Sequence, residues 1–313
     1  MLLILTSDKD LTADFLIVEL IRRGLPYFRL NSEDLAKAYF AFSMNEKASR
    51  REIRVATRAL DLGEVKSVWY RRAIHPGPVP ALPRSESAFV AGELRHLTMG
   101  LVLNPNILWV NPIDNVSVAE HKLYQLRIAR DLGFAVPRTL VSSDPLELRH
   151  FAESNHQGTI CKPIFHGMFV DGNTAYSIYT RRVTPESLAE DAGIGCPVFL
   201  QEEVPRCADV RATFIGPDCF VADIKGDEGI VDWRDPALRV SFTPSTLPAD
   251  VERLCRAMLS RLGLCYGAFD FVRAPDGRLV FLEVNPTGEW AWLEDRLGFP
   301  MRNTFIRLFY GGQ

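Results

Sequence analysis

The chain has 313 residues, 47% hydrophobic and 24% charged, with 36 Lys plus Arg against 39 Asp plus Glu. That length accommodates two or three domains and a full core without disulfide or metal staples, and the ordinary composition excludes disorder, collagen and coiled coil for the bulk of the chain. A net charge of −3 gives no basis for general nucleic-acid binding, which calls for a basic excess.

Met1–Leu5 is apolar, but the chain turns polar directly after it, so no signal peptide is expected, and no run approaches the ~18 apolar residues of a membrane span. Cys161, Cys196, Cys207, Cys219, Cys255 and Cys265 form no CxxC pair, which predicts scattered reduced thiols in a cytoplasmic protein rather than a zinc or redox site.

In chain order, Leu2–Leu5 reads as a buried strand, Leu11–Arg23 as a helix stopped by Gly24, and Pro26–Leu30 as a second strand. This β-α-β opening predicts a parallel sheet, and the lack of GxGxxG gives no support for dinucleotide binding. Val65–Tyr70 is a further strand running into Arg71-Arg72, and a proline-rich loop follows at His75–Pro83. Ala88–Leu103 is a helix and Leu108–Val110 a strand, with a domain boundary near Asn111-Pro112. Ser117-Val-Ala-Glu120 fits a capping box opening a helix that Gly133 ends.

Beyond it, Thr139–Val141 is a strand, Pro145–Glu153 a helix, and Thr159–Pro163 a strand bearing Lys162. Phe165–Asn173 is a loop containing Gly167 and Gly172. Ile178–Val183 and Val198–Val204 are strands, and Val210–Ile215 pairs with Phe220–Ile224 across Gly216-Pro217-Asp218. In Ala249–Leu262 the apolar residues Val251, Leu254, Cys255, Met258, Leu259 and Leu262 form one helical stripe, with Gly263 as cap. Tyr266–Arg273 and Arg278–Asn285 form a hairpin across Ala274-Pro-Asp-Gly277.

That hairpin carries the strongest chemical signal. Strand alternation puts Glu283 and Asn285 on one face, and the turn length predicts Asp270 opposite Phe281 and diagonal to Glu283. Two carboxylates and an amide oxygen on one face suit Mg²⁺, and Phe269, Phe271, Phe281, Leu282 and Val284 argue against a merely solvated surface. Lys162 interrupts an apolar strand before a glycine loop able to fold over phosphates. Taken alone, Lys162 also fits a snorkelling strand-end lysine, and Lys122 a solvated helix face. The backbone of Gln201-Glu202-Glu203-Val204 could hold an adenine edge, Asp209 ribose hydroxyls and Arg211 phosphate, although alone this segment also fits an exposed strand end.

In this order these residues resemble the ATP-grasp superfamily over about residues 116–313. The resemblance implies an α/β fold with α+β subdomains: an N-terminal Rossmann-like pre-ATP-grasp domain at 1–112, a central subdomain with the glycine loop at 113–197, and a C-terminal subdomain with a Mg-binding hairpin at 198–313. It implies that Lys122, Lys162, Gly167 and Lys225 serve the ATP phosphates. Gln201, Glu202, Glu203 and Val204 would border adenine, and Asp209 the ribose. Arg211 would stabilise the transferred phosphoryl group, and Asp270, Glu283 and Asn285 would hold two Mg²⁺ ions. Val68-Trp-Tyr-Arg-Arg72, Val231-Asp-Trp-Arg234 and Glu289-Trp-Ala-Trp-Leu-Glu294 are similar to the graspetide (microviridin-type) peptide macrocyclases, as is the opening Phe28–Asn31 before Glu33-Asp-Leu35. One departure is Gly288-Glu289-Trp290 where that group has Gly-Gln-Trp.

The narrower resemblance implies a homodimeric ligase that forms ω-ester or ω-amide rings in a precursor peptide whose core bears acidic and Ser/Thr/Lys residues. A carboxylate would be activated as an acyl phosphate, Arg71, Arg72 and Arg234 would steer the acidic core, and residues 165–200 would meet the leader. It implies no nucleic-acid or membrane partner. A ligase for a free amino acid or small metabolite, and a non-catalytic nucleotide-binding regulator, are the alternative readings. Trp69 and Trp233 also fit ordinary core packing.

Overall fold

The computed structural model describes all residues except 46–48, 73–74, 80–81, 166, 172–173, 189–194, 228, 230 and 312–313. The expected opening is present. β1 (Leu2–Thr6) and β2 (Tyr27–Asn31) pair in parallel around α1 (Leu11–Arg22), which Asp10 caps by accepting from the Thr12 and Ala13 amides. β1 is buried on both faces, as expected of a central parallel strand. Leu2 and Ile4 pack with α1 and Trp69, whereas Leu3 and Leu5 pack with Phe28, Leu101 and Trp109.

Residues 32–64, which show no clear apolar periodicity, contain an antiparallel sheet of β3 (Tyr39–Met44), β4 (Ser49–Val55) and β5 (Arg58–Asp61). Their exposed charged and aromatic residues hide the alternation that marks a strand in sequence. β6 (Ser67–Tyr70), α2 (Arg84–Val102) and β7 (Leu108–Val110) complete a parallel sheet of order β2-β1-β6-β7.

The predicted capping box is not formed. Ser117 lies inside α3 (Ile113–Ala119), and α4 (Lys122–Leu132) starts after His121. The break is held by Gln125, whose Nε2 donates to the Ala119 carbonyl at 2.6 Å and so satisfies an acceptor left open at the α3 C-terminus. Gly133 ends α4 at φ +97°, as expected.

A second sheet has the order β12-β9-β13-β8, from β8 (Thr139–Ser142), β9 (Thr159–Cys161), β12 (Arg181–Val183) and β13 (Val198–Glu202). α5 (Pro145–Ser154) covers one face through Leu148 and Ala152 against Leu200. The hairpin β10 (Met168–Asp171) and β11 (Thr174–Ser177) projects between β9 and β12 in the chain. The third sheet, β16-β15-β14-β17-β18, is antiparallel throughout, built from β14 (Ala208–Ile215), β15 (Asp218–Gly226), β16 (Val240–Ser245), β17 (Tyr266–Arg273) and β18 (Leu279–Asn285). α6 (Ala249–Leu262) presses Cys255, Met258, Leu259 and Leu262 onto one face, against Phe214, Phe269 and Phe281. α7 (Ala291–Leu297) and α8 (Met301–Tyr310) bring Trp290, Leu293 and Phe305 onto Trp69 and so join the first sheet to the third. Trp69 is thus core.

Asn111 makes the same junction with hydrogen bonds. Its Nδ2 donates to the Tyr266 and Pro286 carbonyls at 2.9 and 2.8 Å, and its Oδ1 accepts from the Cys265 and Tyr266 amides at 2.9 and 3.0 Å. The described residues contain no helix long and apolar enough to cross a membrane.

Candidate active site

A cleft of about 420 Å³ opens between the second and third sheets. One wall is the face of the second sheet away from α5, carrying Ile160, Lys162 and Gln201. The other is the face of the third sheet away from α6, carrying Asp209, Asp270, Val272 and Glu283. Ser177–Thr180 and the segment Val231–Arg234 close it on one side.

The carboxylate pair departs from simple alternation. A β-bulge shifts the register of β17 and β18, so Phe271 pairs with Phe281 while Asp270 pairs with Glu283 directly. The extra residue is Leu282. Phe281 and Val284 both enter the core under α6, which leaves the adjacent Leu282 and Glu283 together on the cleft. A bulge turns two successive side chains to one side. It therefore places an apolar contact beside an acidic one and moves Asp270 from the predicted diagonal to directly opposite Glu283.

Cations surround the pair. Arg211 Nη1 lies 3.2 Å from Asp270 Oδ2, Lys122 Nζ 3.6 Å from Glu283 Oε2, and Arg234 Nη1 3.9 Å from Glu283 Oε1. Burial would raise the pKa of Glu283, but Lys122, Lys162, Arg234 and Arg211 outweigh it and hold the carboxyl below its ordinary value. At Asp270 burial wins over Arg211, with Glu283 adding to it, and the pKa is raised. Two carboxylates facing each other directly across the strand pair suit a divalent ion, and the side-chain oxygen of Asn285 stands on the same strand. Asn285 Oδ1 accepts from the Thr287 amide at 3.0 Å and, at the longer distance of 3.5 Å, from the Thr287 hydroxyl. These donors fit Mg²⁺.

Lys122 is the first residue of α4, where the helix dipole disfavours a cation. It is held by donating to the Pro163 carbonyl at 3.0 Å as well as by Glu283. Lys162 lies one residue past β9, its amide donating to the Phe199 carbonyl and its ammonium 5.0 Å from the Phe199 ring centre. Burial pushes its pKa down to about 8, partly countered by Glu283.

Gly167 is on the cleft at the foot of the β10–β11 hairpin, where a Cβ would stand 2.6 Å from the Ile178 carbonyl oxygen. Gly172 lies outside the described residues, as do parts of the 165–200 segment. The segment leaving the hairpin is tied to the connection between β15 and β16, because the Thr180 amide donates to Asp232 Oδ2 at 3.1 Å. Asp232 also holds Arg234 in a two-bond fork at 2.8 and 2.9 Å. Trp233 meets Phe242 edge to face and Trp292 at a tilt, and the Arg211 guanidinium lies 5.9 Å from its ring centre.

Glu202 and Val204 line the cleft, and Val204 forms an apolar wall with Val272, Val280 and Leu282. Glu203 instead turns away and pairs with Arg182 at 2.5 Å. Asp209 is at the cleft, its pKa raised by burial against the opposing pull of Arg206 Nη1 at 2.9 Å.

Two sequence assignments are corrected. Lys225 is exposed, and its register on β15 gives it the parity of Val221, the face opposite Arg211 and Asp270. Arg71 is 1% exposed and lies between the first and third sheets, donating to the Thr287 carbonyl at 2.8 Å with its Nη2 2.5 Å from Glu289. Arg72, by contrast, reaches the cleft wall.

Gln125 is a further site-supporting residue that no motif marks. It is buried in α4, its Oε1 accepting from the Val284 amide at 2.9 Å and its Nε2 donating to the Val284 carbonyl at 2.8 Å. It thereby fixes the backbone between Glu283 and Asn285. A glutamine within an amphipathic helix gives no such signal in sequence.

With that geometry in place, comparison with known proteins is specific. Residues 1–117 match the family model of the MvdD pre-ATP grasp domain. Among solved structures, the macrocyclase MdnC of Microcystis aeruginosa MRC, bound to its precursor peptide MdnA, is 28% identical with a TM-score of 0.88, covering 100% of both chains. The macrocyclase MdnB of the same organism is 25% identical with a TM-score of 0.79, covering 99% of each. A RiPP-associated ATP-grasp ligase of Chryseobacterium gregarium, solved with ADP and a leader and core peptide, has a TM-score of 0.88 at 22% identity, covering 100% of this chain and 97% of that one. No curated protein sequence matches.

Proposed function

We propose that the chain is an ATP-grasp ligase with an MvdD-type pre-ATP-grasp domain, like the macrocyclases it resembles, and that it crosslinks side chains within a ribosomal precursor peptide at the expense of ATP. The observation that carries the reading is the direct pairing of Asp270 with Glu283 beneath Lys122, Lys162 and Arg211 in one cleft. The three-part division at 1–112, 113–197 and 198–313 belongs to the same proposal.

Asp270, Glu283 and Asn285 would hold Mg²⁺, which supplies charge neutralisation for the nucleotide phosphates. Lys162, from the opposite wall, and Lys122, at the start of α4 beside Glu283, bind those phosphates. Leu282, Val204 and Ile160 enclose the base, with the backbone of Glu202–Val204 along its edge, and Asp209 receives the ribose. A substrate carboxylate takes the terminal phosphoryl group to give an acyl phosphate and ADP. A side-chain hydroxyl or amine then attacks the acyl carbon and expels phosphate, leaving an ω-ester or ω-amide. Arg211 stabilises charge on the moving phosphoryl group, and its contact with Asp270 holds the guanidinium in that direction. Arg72 and Arg234, half-exposed at the cleft, attract acidic residues of the peptide core. Little covalent work falls to the protein; positioning and charge carry the catalysis.

The test is incubation with ATP, Mg²⁺ and a precursor peptide rich in Thr/Ser and Glu/Asp, followed by mass spectrometry and phosphate release. Loss of one water mass per ring with matching phosphate is the expected outcome, and Glu283→Gln abolishes both. Turnover that survives Glu283→Gln removes the assignment.

A further inference from the structure

We propose that Glu289 holds the place of a peptide carboxylate on Arg72, so that an acidic side chain of the substrate is bound by exchange for Glu289 rather than by an open cation. This rests on the cleft receiving an acidic peptide, as proposed above. Arg72 lines the cleft beside Pro286 and Thr287, and its side chain is 44% exposed. Its Nη2 already donates to Glu289 Oε1. Burial opposes ionisation of Glu289, but Arg71, the Thr12 hydroxyl and Arg72 hold its carboxyl below the ordinary value, so the occupant is an anion at neutral pH.

The two arginines differ in what they can give up. Arg71 is buried, with its Nη1 on the Thr287 carbonyl and its Nη2 on the same Glu289 oxygen, so no substrate group reaches it. Asp10 is equally fixed. Its Oδ1 accepts from the Thr12 and Ala13 amides at 3.1 and 3.2 Å, and its Oδ2 from the Thr6 hydroxyl at 2.6 Å. Arg72 leans on Asp10 only through Nε, at 3.7 Å. Its outer nitrogen Nη2 is therefore the contact of this cluster that can change partner from the cleft side.

Glu289 does not need Arg72 to stay in place. Arg71 remains on Oε1, and Thr12 donates its hydroxyl to Oε2. When Arg72 turns to a peptide carboxylate, Glu289 keeps two partners and is not left as an unpaired charge. The exchange gives up one half-exposed ion pair and forms another. Selectivity follows from the charges. Arg71 and Arg72 balance Asp10 and Glu289, so the cluster exerts little pull on nucleotide phosphates or on free carboxylates in solution. An acid held near Arg72 by the rest of the peptide has a high local concentration and competes with the carboxylate already in contact. Glu289 is thus a positioning residue that acts on the substrate through Arg72.

The experiment measures binding of a synthetic Thr/Glu-rich peptide, and of the same peptide with Gln for every Glu, to the full-length protein with Mg²⁺ and a non-hydrolysable ATP analogue. Glu289→Gln keeps an acceptor for Arg71 but removes the charge that competes for Arg72. It is expected to bind the Glu peptide about 5-fold more tightly than the wild type, the worth of one half-exposed ion pair, and the Gln peptide equally. In an Arg72→Ala background the same substitution should give no gain. A merely structural role for Glu289 would move both peptides alike, and an effect of overall charge would persist without Arg72. If Glu289→Gln does not fold, carbon-13 NMR of the wild type labelled at Glu and Arg reads the exchange directly. The Glu peptide should shift the Arg72 and Glu289 signals together, and the Gln peptide neither. Unchanged affinity in Glu289→Gln, equal gains for both peptides, the same gain without Arg72, or an Arg72 signal that moves while Glu289 stays still overturns the exchange alone. No binding of the Glu peptide to any of these proteins overturns the peptide-ligase reading with it.

Discussion

Arg71 and Glu289 meet 2.5 Å apart, Nη2 to Oε1, although 217 residues separate Glu289 from the neighbouring Arg72 that also pairs with it. Asp10 joins them, its Oδ2 lying 3.5 Å from Arg71 Nε, and Thr12 donates its hydroxyl to Glu289. Two arginines and two carboxylates thus form a neutral cluster that fastens the first sheet to the turn following the Asp270–Glu283 hairpin.

Removing Arg71 leaves the buried Asp10 with only the half-exposed Arg72, whose Nε lies 3.7 Å from its Oδ2. Arg71→Ala should therefore cost about 3–5 kcal/mol of folding stability, the range for breaking a buried pair. Arg72→Ala, half-exposed, should cost under about 1 kcal/mol and act on peptide turnover instead. Denaturant unfolding of the two variants separates the roles, and equal stability losses would contradict the placement.

Glu289 gives this cluster an acid limit. Burial opposes its ionisation, but Arg71, the Thr12 hydroxyl and Arg72 prevail and hold its folded pKa below the ordinary 4.5. A depressed carboxyl pKa contributes stability above the unfolded value and loses it as pH falls through the folded one. Stability measured downward from pH 4.5 should fall less steeply in Glu289→Gln than in the wild type.

Lys162 acts in the alkaline range. Burial lowers its pKa from 10.5 to about 8, so the unfolded chain binds more protons between these values and stability contributed by this residue rises with pH across them. Nucleotide binding has the opposite dependence. Bound phosphates favour the protonated ammonium, so ATP affinity should weaken up to about 10-fold per pH unit above pH 8. Titration of ATP at several pH values checks this, and Lys162→Met should flatten the profile.

Gly167 and Gln125 test the scaffold. Gly167→Ala drives a methyl into the Ile178 carbonyl at 2.6 Å and should raise the KM for ATP by displacing the hairpin, with little change in global unfolding. Gln125→Leu leaves the Val284 amide and carbonyl unpaired, which costs about 2–3 kcal/mol, and should raise the Mg²⁺ concentration needed for half-maximal turnover. A normal Mg²⁺ dependence in a destabilised Gln125→Leu protein would limit Gln125 to the fold.

Much of this was legible in the sequence because it rests on local periodicity. The β1-α1-β2 opening, the α6 stripe with its Gly263 cap and the 266–285 hairpin follow from apolar spacing and turn residues, and each formed where expected. The order of lysines, glycine loop, acidic strand and carboxylates marked the chemistry for the same reason: residue type and strand position are properties of short segments.

Tertiary structure decided what depends on distant partners. Ser117 and Glu120 make a good local cap, but Gln125 reaching back to Ala119 moves the helix start to Lys122. Asp270 faces Glu283 because a bulge at Leu282 changes the pairing, which alternation cannot foresee. Lys225 and Arg71 looked like site residues by their neighbours in the chain. Strand parity turned one away from the cleft, and burial against Asp10 and Glu289 enclosed the other. The sequence by itself determined which residue types were present for phosphate and metal chemistry. Only the packing of three sheets determined which of them share one cleft, since that is set by contacts across more than a hundred residues of chain.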